Sequence, residues 1–237
     1  MTLTPKTYFT SDWHLGHGDS IRGIITFERH QFTTIQEHDD YILNLAKSWA
    51  NKWSSGSTLW YLGDFGNPQY LWIFNYFRER GHEVNFLFGN HDNAYNFFEL
   101  DQYVDNIYYY PIYLSQRLVV SHFPVAVYED SCNICGHLHG SKLADKNHVI
   151  ASIHVANYQP ISMKQLDGVF SQLPKYNRRF LYEPFAADYV FTQPKEDVIT
   201  DKSGRIDLSA SRLLQKLNTE KRQERGDSYQ PYCGGLN

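Results

Sequence analysis

Five short apolar runs punctuate the first two thirds of the chain, and each stops at a small or turning residue with a His, Asp or Asn beside it. Residues 8–11 lead into Asp12-Trp13-His14, residues 59–62 into Gly63-Asp64-Phe65-Gly66, and residues 84–88 into Gly89-Asn90-His91-Asp92. Residues 118–121 lead into His122-Phe123-Pro124, and residues 133–135 into Gly136-His137-Leu138-His139-Gly140. Such runs read as buried strands. In an open α/β sheet, ligands bind at the carboxyl ends of the strands.

Helical signals fall between the first three runs. Thr34-Ile35-Gln36-Glu37 has the spacing of a capping box. Tyr41, Ile42, Leu45, Ala46, Trp49 and Trp53 then keep one helical face apolar until Ser54-Ser55-Gly56 ends the helix. Asn67-Pro68 predicts a second helix start, residues 71–80 continue it, and Gly81 suits its left-handed end. Strand, helix, strand, helix, strand is a layered α/β pattern. From Ile107 strand-like runs crowd together at 107–114, 118–121, 131–136 and 148–154, and their short connections predict a second sheet with antiparallel pairs. Residues 161–173 read as a closing helix. Beyond Pro174 the signals thin, which divides the chain into a domain at 1–175 and a C-terminal extension at 176–237. Within the extension, residues 182–191 read as a strand or docking segment, and residues 209–225 as a helix with Leu213, Leu214 and Leu217 on one side.

The polar residues at the strand ends are types that ligate metals and move protons. Asp12 and His14 are two apart, so on an extended segment both face one side, and His137 and His139 do the same. Asp64, between glycines, reads as an exposed carboxylate able to bridge two cations. Asn90 offers a neutral amide oxygen, His91 a ligand or a proton donor, and Asp92 a carboxylate that can hold an imidazole in one tautomer. The mixture of imidazole, carboxylate and amide is too nitrogen-rich for magnesium or calcium and suits transition ions. Cys132 and Cys135 are three apart on a predicted strand, so they point to opposite faces and read as small buried residues rather than zinc ligands. His154 and Asn157 find no place in this scheme.

In order the motifs read D-x-H, G-D-x-G, G-N-H-D, S-H and G-H-x-H. This set resembles the calcineurin-like metallophosphoesterase superfamily, over roughly residues 8–162. The resemblance implies an α/β fold, a two-sheet β-sandwich flanked by helices in four layers (α/β/β/α). It also implies two divalent transition-metal ions, manganese first, with iron, zinc, nickel or cobalt as alternatives. By the family pattern Asp12, His14, Asp64 and His139 hold one ion, and Asp64, Asn90, His122 and His137 the other. His91 is then the proton donor, oriented by Asp92. Gly16-His17, followed by Arg29 and Phe32, resembles a bacterial and phage subgroup, which makes His17 and Arg29 candidates for substrate contact; that subgroup often has proline where His30 stands here. The implied activity is hydrolysis of a phosphodiester or phosphomonoester, a small phosphate ester or a nucleotide, by water that the ions acidify. A nuclease acting on DNA or RNA, and a catalytically silent binding module, are the alternatives.

Composition adjusts this picture at the edges. A length of 237 residues holds one domain with an appendage. Six of the 11 histidines stand in or beside the motifs, and 16% aromatic content predicts a core and cleft rich in rings. A net charge of -4 weighs against broad binding of nucleic acid, while the stretch between Arg205 and Arg225, six basic residues against three acidic ones, reads as a solvated terminal helix, with a partner- or nucleic-acid-binding appendage as the alternative. Three cysteines make no disulfide framework, and neither a signal core nor a membrane-spanning apolar stretch is present, so a cytoplasmic protein with no membrane partner is expected.

Overall fold

The structure, a computed structural model, describes residues 3–17, 32–92, 99–139, 143, 146–173 and 182. The chain divides into two compact units, Met1–Tyr189 and Val190–Asn237. The second unit, with the helix expected at residues 209–225, lies outside the described residues, as does Arg29. In chain order the elements are β1 (Thr7–Thr10), α1 (Ile35–Lys52), β2 (Thr58–Tyr61), a 3₁₀ turn (Pro68–Tyr70), α2 (Trp72–Arg78), β3 (Glu83–Leu87), α3 (Leu100–Tyr103) and β4 (Asn106–Tyr108). They continue with β5 (Ile112–Ser115), β6 (Leu118–Ser121), β7 (Cys132–Cys135), β8 (His148–Ile150), β9 (Ile161–Ser162) and α4 (Met163–Phe170).

This is a mixed α/β protein with two sheets. In the first, β4, β3, β2 and β1 lie side by side and parallel, and β9 pairs antiparallel with β1 at the edge. In the second the order is β5-β6-β7-β8. The expectation of antiparallel pairing holds there only for β5 with β6; β6, β7 and β8 are parallel. The connections from β6 to β7 and from β7 to β8 are long enough to return the chain to the starting edge, which is what a parallel pair requires. His122 and His137 therefore follow strands that end on the same side of the sheet, at its carboxyl ends.

The run at 107–114 also divides. Ile107 and Tyr108 pair in the first sheet and Ile112–Ser115 in the second, with Tyr109-Tyr110-Pro111 carrying the chain across. Pro111 has no N–H to continue a ladder. The closing helix begins at Met163, not at Ile161, because Ile161–Ser162 is strand β9 and Ser162 caps α4 through a capping box with Gln165. Helix α1 starts where expected: the Thr34 hydroxyl accepts from Glu37 N, and the Glu37 carboxylate accepts from Thr34 N. Its inward stripe is His38, Asp39, Ile42, Leu43, Ala46, Trp49 and Ala50, while Tyr41 is exposed. Asn67 and Pro68 open the 3₁₀ turn, and the α-helix follows only from Trp72.

Two apolar layers lie on the two faces of the first sheet. On one face Phe9, Trp60, Leu62, Leu87 and Tyr108 form a continuous cluster with Leu114, Leu118, Val120, Ile134 and Ala151 of the second sheet, joined by Met163, Leu166 and Phe170 of α4. On the other, Trp13, Tyr61, Phe65, Phe74 and Phe86 pack ring against ring, with centroids 4.9–6.4 Å apart. Cys132 and Cys135 are thiols, not a disulfide, buried in the second sheet. Beyond the strand ends the sheets are tied together, since Ser11 N donates to Ala151 O and Ile153 N to Ser11 O. Among the described residues no helix is long and apolar enough to cross a membrane.

Candidate metal centre

Past the ends of β1 and β2 the two segments stay zipped. Leu62 N donates to Thr10 O, Asp12 N to Gly63 O, His14 N to Asp64 O, and Leu15 N to Phe65 O. This ladder runs through the motif residues themselves, and it brings Asp12, His14 and Asp64 together. Trp13, between them, turns into the aromatic core and is fully buried. One hydroxyl spans the two segments: Tyr61 Oη accepts from Trp13 N and donates to Asp64 O, both at 3.1 Å. Burial pushes the Tyr61 phenol well above its ordinary pKa, so it remains a donor.

The backbone at the site departs from the extended form expected for D-x-H and H-x-H. Asp12, His14, Asp64, His137 and His139 have φ of 59°, 45°, 58°, 67° and 43°; among the described non-glycine residues only Asn157 and Tyr158 share this left-handed region. The same-side placement of each pair comes from two left-handed residues flanking one of another conformation. Each such residue costs about 1–3 kcal/mol and persists only where its surroundings over-determine it. Those surroundings are tight. A Cβ on Gly63, itself at φ 92°, would lie 2.6 Å from Gly89 Cα and 2.7 Å from His122 Nδ1.

Two groups of side chains that could hold a metal ion result, Asp12–His14–Asp64–His139 and Asp64–His122–His137, with the ligand atoms of each group within 4.8 Å of one another. Asp64 belongs to both. Far from being exposed, it is completely buried, and its Oδ2 lies 3.5 Å from His14 Nε2 and 3.3 Å from His122 Nε2 while accepting no hydrogen bond. Its other oxygen accepts from His91 N at 2.9 Å. A buried carboxylate oxygen without a hydrogen-bond donor costs free energy unless a cation supplies the missing interaction, so this donor set fits a metal. Asn90 completes the second group: its Oδ1 lies 2.8 Å from His122 Nε2 and 3.0 Å from His137 Nδ1.

The electrostatics agree. His122 Nδ1 donates to Leu62 O at 2.9 Å, so Nε2 can donate to Asn90 only if the ring is an imidazolium. Burial opposes that charge, but Asp64 and Asp12 outweigh it, and the His122 pKa is raised. The field that favours a proton there also favours a cation. Burial lifts the Asp64 carboxyl too, yet its pairing with His122 and the His91 amide hold it below its ordinary value. Burial pushes Asp12 up to about 6 although His122 pulls it down, so Asp12 is anionic at neutral pH. Burial and the neighbouring His122 lower His137, which leaves it a neutral imidazole able to ligate.

Asp92 does not orient His91, contrary to expectation. Its Oδ2 accepts from Asp64 N and Gly89 N at 2.7 and 2.8 Å, and its Oδ1 from Phe65 N at 2.8 Å. Burial raises its pKa to about 6 against the pull of these amides, so at neutral pH it accepts from all three as a carboxylate. It clamps the Asp64 loop to the Gly89 turn. The His91 ring lies outside both ligand groups and is exposed, 5.3 Å from the His14 ring and 5.2 Å from the His17 ring. His17, itself exposed, stacks on His14 with centroids 5.5 Å apart.

Two further residues support the centre. His154 Nε2 lies 2.9 Å from His139 Nδ1, and this contact turns His139 Nε2 toward Asp12, 3.9 Å away. The signal for it was the same as for the others, a strand-like run, 148–154, ending in His. Asp39, buried on α1, accepts from Gly16 N at 2.8 Å and pairs with His38 Nδ1 at 2.9 Å, so α1 holds the loop carrying His14 and His17. Its signal was a charged residue on the apolar stripe of a helix.

No protein-family model and no curated protein matches this chain. Nineteen chains of solved structures do. One is a protein of unknown function from Aquifex aeolicus, which is 23% identical in sequence and superposes with a TM-score of 0.53 over 69% of this chain and 98% of that one. At that identity the likeness concerns the fold alone.

Tyr61→Phe and Asp92→Asn test whether these bonds shape the centre. The first orphans the buried Trp13 N–H and leaves Asp64 O with His14 N alone as donor; the second leaves one acceptor oxygen for three N–H groups. Each is expected to lower stability in urea by about 1–3 kcal/mol and to weaken manganese binding in calorimetric titration. Manganese affinity unchanged in both variants would show that the ligands are positioned by something else.

Proposed function

We propose that this chain is a metal-dependent phosphoesterase of the metallophosphoesterase type, built on the α/β/β/α four-layer sandwich of that superfamily. The observation that carries the reading is Asp64, a buried carboxylate shared by two His- and Asp-rich groups, with an oxygen that accepts no hydrogen bond. Asp12, His14, Asp64 and His139 would hold one divalent transition ion, and Asp64, Asn90, His122 and His137 a second, with manganese the first choice. Such ions supply Lewis-acid polarisation of the phosphoryl oxygens and acidify a water.

The chain's own residues do the rest. Hydrolysis adds water across the P–O bond: its oxygen goes to phosphorus and a proton goes to the departing oxygen. His91 delivers that proton, because its imidazole is exposed beside the His14 ring and outside both ligand groups, while its backbone N–H is anchored to Asp64 Oδ1. His17, exposed and 5.2 Å from the His91 ring, would contact the substrate.

The full chain loaded with manganese is expected to hydrolyse bis(p-nitrophenyl) phosphate, and chelation to stop it. Undiminished turnover by a metal-free preparation contradicts the proposal. The role of His91 is read from the leaving group. General acid help is worth about a hundred- to ten-thousand-fold, and an alkoxide needs it where a nitrophenolate does not. His91→Ala is therefore expected to keep its metals and to lose far more activity on an alkyl phosphate than on a nitrophenyl phosphate. Equal losses on both, with metals retained, would assign His91 to positioning instead.

A further inference from the structure

A cavity of about 270 Å³ opens beside the Asn90 and His122 end of the centre. Asn90, Asp92, Ser121 and His122 supply its polar lining, and Phe88, Tyr109, Tyr110, Pro111 and Phe123 most of the remaining wall. The fold gathers these rings. Phe88 follows β3, Phe123 follows β6, and the Tyr109-Tyr110-Pro111 crossing between the two sheets passes alongside. Phe88 and Tyr109 lie face to face, with centroids 4.4 Å and planes 5° apart, and form a stacked pair. Phe123 and Tyr110 keep 48% and 40% of their surface in solvent. The Phe123 ring also sits 4.4 Å from the His137 ring, so the aromatic wall begins where the ligand residues end.

Rings left in water beside a polar centre await a partner for their faces. A simple phosphate or an alkyl phosphate would use the polar end and leave the rings wet. A planar ring joined to a phosphate would use both. The volume lies just below the usual range of small-molecule sites, about 300–1,000 Å³, and suits one ring system rather than a strand. The negative net charge of -4 likewise disfavours a long polyanion.

We infer that this cavity is a nucleobase subsite, and that the substrate is a small nucleotide whose phosphate reaches the Asn90 and His122 end while its base stacks against Tyr110 and Phe123. The assignment of a phosphate ester rests on the function proposed above; the base subsite is tested apart from it.

The test uses the full manganese-loaded chain and two phosphonates, whose carbon–phosphorus bond does not hydrolyse: an adenosine 5′-phosphonate and the matching ribose phosphonate without the base. Stacking on an aromatic side chain typically raises affinity about ten-fold or more. Calorimetric titration is expected to find the adenosine compound bound at least about ten-fold more tightly, with the two ligands binding alike in Tyr110→Ala and in Phe123→Ala. Equal affinities in the wild-type chain, or a preference that survives both substitutions, would overturn the subsite. Equal affinities together with hydrolysis of bis(p-nitrophenyl) phosphate defeat the subsite alone. Base-dependent binding without hydrolysis of any ester defeats the phosphoesterase reading alone and leaves a nucleotide-binding site.

Discussion

Three carboxylates, Asp12, Asp64 and Asp92, are buried within a single hydrogen-bonded cluster of loops. Burying one anion is costly, and burying three beside one another is tolerable only if each is neutralised in its own way. Asp92 is satisfied by three backbone amides. Asp12 accepts from the Ser11 hydroxyl and from His137 N. Asp64 has one oxygen on His91 N and the other between two imidazoles. That last oxygen sets what the rest of the site must be, because its nearest neighbours are the Nε2 atoms of His14 and His122, which can give it a proton or share it with a metal cation.

The scaffold explains how such a cluster persists. Of the left-handed residues, Asp12, His14 and Asp64 are held by a backbone ladder that outruns its strands, by the Tyr61 hydroxyl and the Asp92 clamp, and by glycines where two loops meet, while His137 N donates to the Asp12 carboxylate. Behind them Trp13 anchors the first loop in a fully packed aromatic layer. The same two-sheet arrangement that aligns His122 with His137 also delivers Tyr110 and Phe123 to the cavity beside them. Ligand set and aromatic wall are thus two consequences of how the chain crosses from one sheet to the other.

Much of this was legible in the chain. Each apolar run ending in Asp, His or Asn is a strand or strand-like segment leading into the site, because burial of a strand is local in its pattern and its end is marked by glycine. Helix α1 was legible from Thr34 and Glu37 for the same reason. What escaped depends on contacts distant in sequence. The left-handed Asp12 and His14 are bonded through the ladder to Gly63 and Asp64, distant in sequence. The carboxylate of Asp92 looks free to serve His91 until three amides from two loops converge on it. Parallel pairing of β6, β7 and β8 is a property of the path between them, which apolar periodicity does not encode.

The most direct test of the shared carboxylate is anomalous diffraction at the manganese edge from crystals of the full chain grown with the ion. The account predicts two peaks, both within coordination reach of Asp64, one among Asp12, His14 and His139 and the other among Asn90, His122 and His137. A single peak, or two peaks that do not share Asp64, would contradict it.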